Sequence, residues 1–397
     1  MVIGNTRYWH TGLVLLTVWL SVGCATPPQT TNFTPPPLRG HENKVQIPEV
    51  DVLAVSPEME AFLQRYVLDY SNMHTRATLL MNAVSGNGVL GFEYDDAFTV
   101  TATEAFDARA GNCIGFANML VALAREAGLK AEYQEVFRRP EWSTREETVL
   151  LVKHINVILE SMNFAYVMDV SGIRINPNAR RRIISDDYAK ALYLNNLGAD
   201  ALIANDLPTA WAYLTKAIET EPKLTDSWVN LGVVLGRNEQ LQDAAKAYRN
   251  ALAIDANDNA ALSNLYEVYL ALGDLESAAQ LEDKVERYRQ RNPYYLLALS
   301  KESLVENRFG EAVELLQRAV RKYTKDHQLY FALANAQYLS GDTESAALSL
   351  LRARELAPEN MIAYYDRPLD ELAPEALAKA RADALAEARI QENRESY

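Results

Sequence analysis

Three residues in the first half of the chain carry the side chains that covalent thiol catalysis requires: Cys113, His154 and Asp169. A cysteine supplies the nucleophile, a histidine moves its proton, and a carboxylate orients the imidazole. Cys113 is followed by apolar residues at helical spacing that end at Gly128, so we expect it to open a helix. The unpaired N–H groups and the positive dipole end at a helix start favour the thiolate. Cys113 is therefore a candidate nucleophile.

The spacing of His154 and Asp169 is that of partners across a β-hairpin. His154 lies in the apolar segment 148–159, and Asp169 lies in a second apolar segment, 164–171. A hairpin centred just after Ser161 would place the two residues directly opposite one another, with Cβ atoms about 4.5 to 5.5 Å apart. A carboxylate at that distance can orient an imidazole. The alternative is structural, with His154 satisfied in a half-buried strand and Asp169 forming a turn.

The residues around Cys113 resemble the core of transglutaminase-like proteins. Residues 109–113, Arg-Ala-Gly-Asn-Cys, form a Gly-x-Cys turn that is followed by a small-residue helix, an Ala-Gly pair at 127–128 and a strand. The resemblance covers residues 95–172. It matches the catalytic cysteine, histidine and aspartate of the family to Cys113, His154 and Asp169.

The resemblance implies attack by the Cys113 thiolate on an amide or ester carbonyl, with His154 as the proton shuttle and Asp169 holding its tautomer. The oxyanion is expected near the Cys113 backbone N–H. The acyl group would then pass to an amine or to water. Three further candidates for lining the cleft are also common as purely structural residues: Asn112, Trp142 and Asn156.

From Tyr188 onward the sequence repeats with a period of 34 residues, the length of a tetratricopeptide unit. A helix pair of this kind cannot bury its apolar face alone, so neighbouring pairs stack into a solenoid. We therefore predict five repeats over residues 188–359 and a capping helix or tail over 360–397. One column of small residues holds the period throughout: Ala210, Ala244, Ala278, Ala312 and Ala346.

Resemblance to tetratricopeptide proteins implies that a protein or peptide partner binds the concave face made by the first helix of each pair. The charged candidates on that face carry both signs, which indicates no ligand of a single sign. The aromatic candidates have a structural alternative, because aromatic side chains at helical spacing more often belong to the core. The matching positions are Glu267, Tyr294, Lys301, Phe331, Asn335 and Tyr338.

Residues 1–23 resemble a bacterial lipoprotein signal peptide, in which an apolar stretch too short for a comfortable membrane span follows Arg7. The stretch ends in a lipobox-like Leu-Ser-Val-Gly-Cys, so Cys24 would be lipidated and become the new amino terminus. We expect a lipid-anchored protein in the bacterial cell envelope that faces the periplasm, with Ala25 pointing to the outer membrane. The alternative is a plain leader followed by a chance cysteine.

Residues 24–48 are rich in Pro and Thr, which favours an extended, solvated tether. The chain has only two cysteines, and lipidation of Cys24 would leave Cys113 without a disulfide partner. An unpaired thiol in an oxidising compartment is either buried or in use.

The charge and composition of the chain limit its possible fold and partners. The 397 residues include 49% hydrophobic residues and carry a formal charge of −14, which fits globular domains and repels phosphate backbones. Nucleic acid is therefore not an expected partner. No cofactor or metal is expected. Residues 49–184 mix helical and strand patterns, so the predicted fold is an α+β transglutaminase-like (papain-like) domain followed by an all-α solenoid.

Two functions of different class fit these features. The first is an envelope-anchored cysteine acyltransferase or amidase whose repeats recruit a protein or peptide substrate. The second is a non-catalytic adaptor or scaffold lipoprotein, in which the thiol domain only binds or supports. The complete set of Cys113, His154 and Asp169 favours the enzyme, because an adaptor needs none of the three.

Overall fold

The computed structural model describes residues 34–41, 45–85, 88–145, 148–161, 164–170 and 179–374, and gives the backbone alone at 138–145, 148–153, 161, 164, 359 and 360. The predicted signal peptide and Cys24 lie outside these ranges. None of the helices in the described ranges is both long and apolar enough to cross a bilayer.

An α+β domain comes first, as the sequence predicts. Four of its strands form an antiparallel sheet in the order β5-β4-β3-β6, and β1 and β2 form a short parallel pair. The elements are α1 (Pro57–Tyr66), α2 (Met73–Val84), β1 (Glu93–Tyr94), α3 (Ala102–Ala108), β2 (Ala110–Gly111), α4 (Cys113–Glu126), β3 (Lys130–Arg145), β4 (Thr148–Ser161), β5 (Phe164–Met168) and β6 (Arg180–Ile184).

The core of this domain is built around α4, which packs on β3 and β4. Every residue of α4 from Cys113 to Ala124 is buried. Tyr133 of β3 and Val157 of β4 are fully buried in the same cluster. The Tyr133 hydroxyl donates to Asn118 Oδ1 at 2.8 Å, which ties the sheet to the helix. Because α4 is enclosed on all sides, its first residue is held in a fixed place.

The hairpin of β4 and β5 forms, but its register differs from the predicted one. Val157 pairs with Met168, so the next position along puts Asp169 level with Asn156 rather than with His154. The hairpin is therefore centred one position further along the chain than predicted, between residues 162 and 163, which lie outside the described ranges.

An all-helical solenoid follows, with the helices in consecutive pairs. The predicted small-residue column is buried in all five pairs, and it lets the helices approach closely. At Gly232 an added Cβ would lie 2.4 Å from the Tyr248 ring. The pairs are α5 (Asp186–Ile203) with α6 (Leu207–Thr220), α7 (Thr225–Arg237) with α8 (Leu241–Ile254), α9 (Asn259–Leu272) with α10 (Leu275–Arg289), α11 (Pro293–Val305) with α12 (Phe309–Lys322), and α13 (His327–Leu339) with α14 (Thr343–Leu356).

A last helix, α15 (Glu359–Leu372), packs on the final pair. Its residues Tyr365 and Leu369 are buried against Ala334 and Leu350. It covers the apolar end of the stack, whereas the capping helix or tail expected over 360–397 stays a prediction. Residues 375–397 lie outside the described ranges.

Part of the predicted tether is docked rather than solvated. In the segment 34–41, Leu38 is 5% exposed and belongs to the core of the first repeats. Trp211 Nε1 donates to the Pro36 carbonyl at 2.9 Å, and Gln240 Oε1 accepts the backbone N–H of the residue after Leu38. The expectation of a solvated tether is therefore wrong for this segment, because a buried leucine and these two hydrogen bonds attach it to the repeats.

The two parts of the chain are joined without a linker. Strand β6 ends at Ile184, and α5 begins at Asp186. The residue between them, Ser185, caps α5 by accepting the Tyr188 backbone N–H at 3.1 Å. Arg125 of α4 binds both carboxylate oxygens of Asp186, at 2.6 and 2.9 Å. The solenoid is therefore fastened to the α+β domain at its first turn.

Candidate active site at Cys113

The start of α4 is shaped by Asn112. Its Oδ1 accepts the Gly115 backbone N–H at 3.0 Å, which makes it the N-cap of the helix. Its Nδ2 donates to Thr99 Oγ1 at 2.7 Å. Both ends of the Asn112 amide are thus engaged in holding the turn that precedes Cys113, and the residue also borders the cavity described below.

Gly115 lets a neighbouring segment approach this turn closely. A Cβ at Gly115 would lie 2.8 Å from Val100 Cγ2, and Val100 is itself buried. The turn before the helix contains Arg109 in the left-handed conformation, with φ of 55°. The Phe98 carbonyl accepts the Asn112 backbone N–H at 2.9 Å. The resulting turn sets the position of the Cys113 sulfur.

The sulfur of Cys113 lies against strand β4. The side chain is 8% exposed, and the backbone N–H of Ile155 donates to it. The N–H groups of Cys113 and Ile114 also point at the sulfur, as expected at a helix start. Ile155 directly follows His154, so the fold brings the thiol to the strand position next to the predicted base.

His154 and Asp169 are in contact despite the shifted register. Asp169 Oδ2 forms a hydrogen bond with His154 Nε2, and His154 is 5% exposed. Residues two positions apart on a strand share a face, and diagonal neighbours about 7 to 8 Å apart lie within reach of long side chains. The contact at Nε2 leaves Nδ1 as the ring nitrogen that can take a proton from a thiol.

The β3–β4 ladder is irregular beside His154. It is regular as far as the pair Val136 and His154, and it resumes at Glu141 and Val152 with a shifted register. His154 is therefore the last residue of β4 in the regular ladder before the shift.

The electrostatics of the thiol differ from the sequence-based expectation. Burial raises the pKa of Cys113, and the negative charge of Asp169 raises it further, whereas the N–H groups of Ile155 and Ile114 lower it. The prediction that the helix start produces a thiolate is therefore wrong for the unoccupied protein, because desolvation outweighs the helix end. The thiol keeps its proton until a base removes it.

The other two predicted cleft residues, Asn156 and Trp142, are not found beside Asn112 at the cavity near Cys113. Asn156 is fully buried and does not border the cavity, so its assignment as a cleft residue is wrong. It lies opposite Gln134 in the ladder, and neither of its amide atoms has a hydrogen-bond partner among the described residues. The backbone of Trp142 lies opposite Leu151, and its side chain is outside the described part of the chain.

A cavity of about 720 Å³ opens at Cys113 and extends along the inner face of the solenoid. Cys113 and Ile155 border it on one side, whereas His154 and Asp169 do not line it. On the other side it is bordered by residues of α5, α7 and α9. Among them is a column of asparagines at the repeat interval of 34: Asn196, Asn230 and Asn264.

Sequence reasoning missed this asparagine column, although its spacing was visible. The predicted partner residues lie elsewhere, and none of the six lines the cavity. Four are exposed: Glu267, Lys301, Asn335 and Tyr338.

The other two belong to the interior of the solenoid. Phe331 is half-buried against the rings of Tyr364 and Tyr365. Tyr294 is 5% exposed and donates its hydroxyl to Asp326. The assignment of Tyr294 to a partner groove is wrong, because its hydroxyl joins two neighbouring repeats.

Within the described residues, no group of three His, Cys, Asp or Glu side chains could hold a metal ion. The Cys113 site consists of a thiol with its neighbouring imidazole, carboxylate and backbone N–H groups. These are the parts of covalent acyl transfer.

Comparison with known proteins identifies the family of the α+β domain. Residues 61–167 match the family model of the transglutaminase-like superfamily. A comparison with curated protein sequences finds no match.

Two of the solved structures that are similar to the chain are described as tetratricopeptide proteins. YrrB, "a TPR protein with an unusual peptide-binding site", is 17% identical over 45% of this chain and 92% of its own, with a TM-score of 0.26. A thermophilic tetratricopeptide protein from Thermus thermophilus, TTC0263, is 18% identical over 45% and 98%, with a TM-score of 0.32. PilF from Pseudomonas aeruginosa is 22% identical over 51% and 100%, with a TM-score of 0.30.

The α+β domain is thus transglutaminase-like, with its helix start at Cys113 inside the matched range. The whole chain is a tetratricopeptide-repeat protein with a transglutaminase-like domain, since five helix pairs hold the 34-residue period after it.

Proposed function

We propose that this protein is an envelope-anchored cysteine acyltransferase or amidase that acts on a protein or peptide substrate recruited by its repeats. The observation that carries the proposal is the position of the Cys113 sulfur on the backbone of Ile155, one residue from an imidazole that Asp169 orients. A nucleophile, a base and an orienting group in that order form the constellation of thiol acyl transfer.

The reaction begins with proton removal, because the buried thiol is neutral at rest. His154 takes the proton at Nδ1 while Asp169 holds Nε2. The sulfur then attacks an amide or ester carbonyl, and the N–H groups of Cys113 and Ile114, which point at the sulfur, are the donors assigned to the oxyanion. The leaving amine or alcohol takes the proton from His154, and a thioester remains on Cys113.

The second half of the reaction releases the acyl group. An amine or a water molecule attacks the thioester carbonyl, His154 removes a proton from that nucleophile, and the Cys113 thiol is restored. Attack by an amine gives a new amide bond, whereas attack by water gives a carboxylate.

A generic acyl donor tests this chemistry without knowledge of the substrate. p-Nitrophenyl acetate should acetylate Cys113 with release of nitrophenol, and mass spectrometry should find the acetyl group on the peptide that contains Cys113. His154→Ala should slow acylation by about 100-fold or more, the usual contribution of a general base. Cys113→Ala controls for reaction at other residues. Equal acylation rates in the wild type and in His154→Ala would contradict the proposal.

The adaptor function is the second candidate, and one observation favours it: burial raises the pKa of Cys113 and so keeps the resting thiol in its less nucleophilic form. An adaptor would bind its partner equally well with Cys113→Ala and would show no acylation that depends on His154. The same two variants therefore separate the two functions.

The proposed envelope location rests on the lipobox-like sequence that ends at Cys24. A cell grown with an alkyne-tagged palmitate should incorporate the tag into the wild-type protein and not into Cys24→Ala. Recovery of the tagged protein in the soluble fraction, or equal tagging of both proteins, would refute the lipid anchor.

A further inference from the structure

The turns between the first and second helix of each repeat form one edge of the solenoid. Because the repeats share a 34-residue register, equivalent turns line up along the same side of the stack. In the last three repeats this edge comprises residues 270–277, 304–311 and 338–345, which are the turns and the helix ends beside them. These three stretches are called the turn edge below.

The turn edge carries exposed apolar side chains. The described part of the solenoid has seven exposed large hydrophobic side chains, and five of them lie on this edge. Two of the five, Leu275 and Val305, are 67% and 82% exposed. Apolar side chains that cluster on an exposed surface, rather than scatter singly, mark an interaction site. The five are Leu270, Leu275, Val305, Tyr338 and Leu339.

The turn edge is also acidic. It carries six carboxylates and one cation, Arg308, which binds Glu306 and Glu311. The other four carboxylates are exposed, and none forms an ion pair within the described part of the chain. Like charges would repel a second copy of this edge, whereas basic side chains of a partner would be attracted. The four are Asp274, Glu276, Asp342 and Glu344.

In the first two repeats, the same side of the stack already holds an extended segment of the chain. The turn between α7 and α8 binds the backbone of Arg39 twice: Asn238 Nδ2 donates to its carbonyl at 3.1 Å, and Gln240 Oε1 accepts its N–H at 2.9 Å. The preceding residue, Leu38, is buried in the apolar cluster that includes Leu202. Turns of this solenoid can therefore bind a leucine together with the main chain beside it.

The acceptor at the repeat position of Gln240 is a carboxylate further along the stack. Asp274 lies one repeat interval after Gln240, and Asp342 lies three intervals after it. All three residues occupy the N-cap position of the second helix of their repeat. A carboxylate accepts the same backbone N–H groups as an amide oxygen, and it also attracts a cation. The third and fifth repeats thus offer a contact like that of Gln240 to a segment with basic side chains.

We propose that the turn edge docks an extended polypeptide of a partner protein, whose apolar side chains cover Leu275, Val305 and Leu339 and whose basic side chains face the carboxylates. The docked Leu38 and Arg39 show this mode of contact within the chain itself. The proposal is independent of the thiol chemistry, because no residue of the turn edge borders the cavity at Cys113.

Synthetic peptides test the turn edge on the full chain. The probe is a fluorescein-labelled peptide of three Pro-Pro-Leu-Arg units, which repeats the sequence of residues 36–39 and spans about 37 Å when extended. Fluorescence anisotropy gives its dissociation constant. A probe with serine in place of each leucine should bind about tenfold more weakly or worse, because apolar burial is lost. A probe with glutamate in place of each arginine should bind about threefold more weakly or worse, the effect of exposed ion pairs.

Variants of the apolar residues assign the binding to the turn edge. Leu275→Ser combined with Val305→Ser should weaken binding of the leucine probe by about fivefold or more. Both side chains are exposed, so the fold does not depend on them. The matched control is Leu348→Ser combined with Val89→Ser, which are 64% and 55% exposed outside this edge and should leave the dissociation constant unchanged.

Variants of the carboxylates test the charge preference separately. Glu276→Gln combined with Glu344→Gln should reduce the preference for the arginine probe over the glutamate probe by about twofold or more. The matched control is Glu282→Gln combined with Glu314→Gln, which are exposed on the second helices outside the turn edge and should preserve that preference.

Each outcome decides the proposal. Equal affinity for the leucine and serine probes, equal losses in the edge variants and their controls, or a charge preference that survives in Glu276→Gln with Glu344→Gln would overturn it. Dimerisation of the full chain that is lost in Leu275→Ser with Val305→Ser would assign the edge to a second copy instead. Binding of Cys24→Ala to vesicles of phosphatidylethanolamine and phosphatidylglycerol that requires the same two side chains would assign it to a membrane. Either result also overturns the proposal.

Discussion

Gly115 offers a direct test of how the start of α4 positions the thiol. A Cβ at this residue would lie 2.8 Å from Val100 Cγ2, a separation that requires one of the two segments to move. Overpacking of this kind costs about 1 to 3 kcal/mol, whereas alanine in place of glycine inside a helix gains about 1 kcal/mol. Gly115→Ala should therefore destabilise the domain by about 0 to 2 kcal/mol.

The effect of Gly115→Ala on stability should reverse its sign when Val100 is shortened. In Val100→Ala the clashing atom is absent, and the next contact of the added Cβ is the Val100 carbonyl oxygen at 3.4 Å. Only the helix gain then remains, so Gly115→Ala should stabilise that background by about 1 kcal/mol. The double-mutant cycle should give a coupling of about 1 to 3 kcal/mol.

Hydrogen exchange measured by mass spectrometry gives the opening free energy of α4 in the four proteins of the cycle. Peptides that cover Met119–Ala124 report on the buried part of the helix. Gly236→Ala is the matched control, since its Cβ would lie 4.0 Å from the nearest side chain, that of Ala244, and should bring only the helix gain. A coupling below about 0.5 kcal/mol, the usual limit of additivity, would refute the steric account of Gly115.

Two further predictions concern the thiol and the tether. Burial raises the pKa of Cys113 and Asp169 adds to the shift, so alkylation by chloroacetamide should rise with pH through a midpoint above about 8.5, and Asp169→Asn should lower that midpoint. Because the pKa of Cys113 is higher in the folded than in the unfolded protein, the thiol contributes to the free energy of unfolding in full below the unfolded pKa, and this contribution is lost as the pH rises through the folded pKa. The free energy of unfolding of Cys113→Ala should not show this fall with pH. Leu38→Ala should lower the free energy of opening of segment 34–41 by about 2 kcal/mol, which would make amide exchange in that segment about 30-fold faster. Unchanged exchange would contradict the docking.

The repeats were predictable because their signal is periodic. A 34-residue interval fixes which residues are equivalent, and Ala210 and its counterparts are buried for the reason that the period implies. The helix at Cys113 was predictable in the same way from apolar spacing. The contact of His154 with Asp169 was predicted from a register that places them directly opposite one another. In the actual register the two side chains meet diagonally.

Features that depend on how separate segments pack were beyond the reach of local patterns. The pKa of Cys113 follows from complete enclosure of α4, which helix-start chemistry does not reveal. Leu38 is one apolar residue in a Pro-rich segment, so nothing in its local sequence marks it as docked. Tyr294 fits a groove by its repeat position, yet the neighbouring repeat supplies Asp326 and buries it.

The junction between the two parts bears on how the solenoid serves the thiol. Arg182 of β6 binds Glu135 of β3 and also donates to the Tyr188 hydroxyl of α5 at 2.8 Å. A swing of α5 away from the sheet would break the hydrogen bond between Arg182 and Tyr188 and the ion pair between Arg125 and Asp186 together, whereas Arg182 would keep its contact with Glu135. Two contacts from the α+β domain therefore hold the first turn of the solenoid against it.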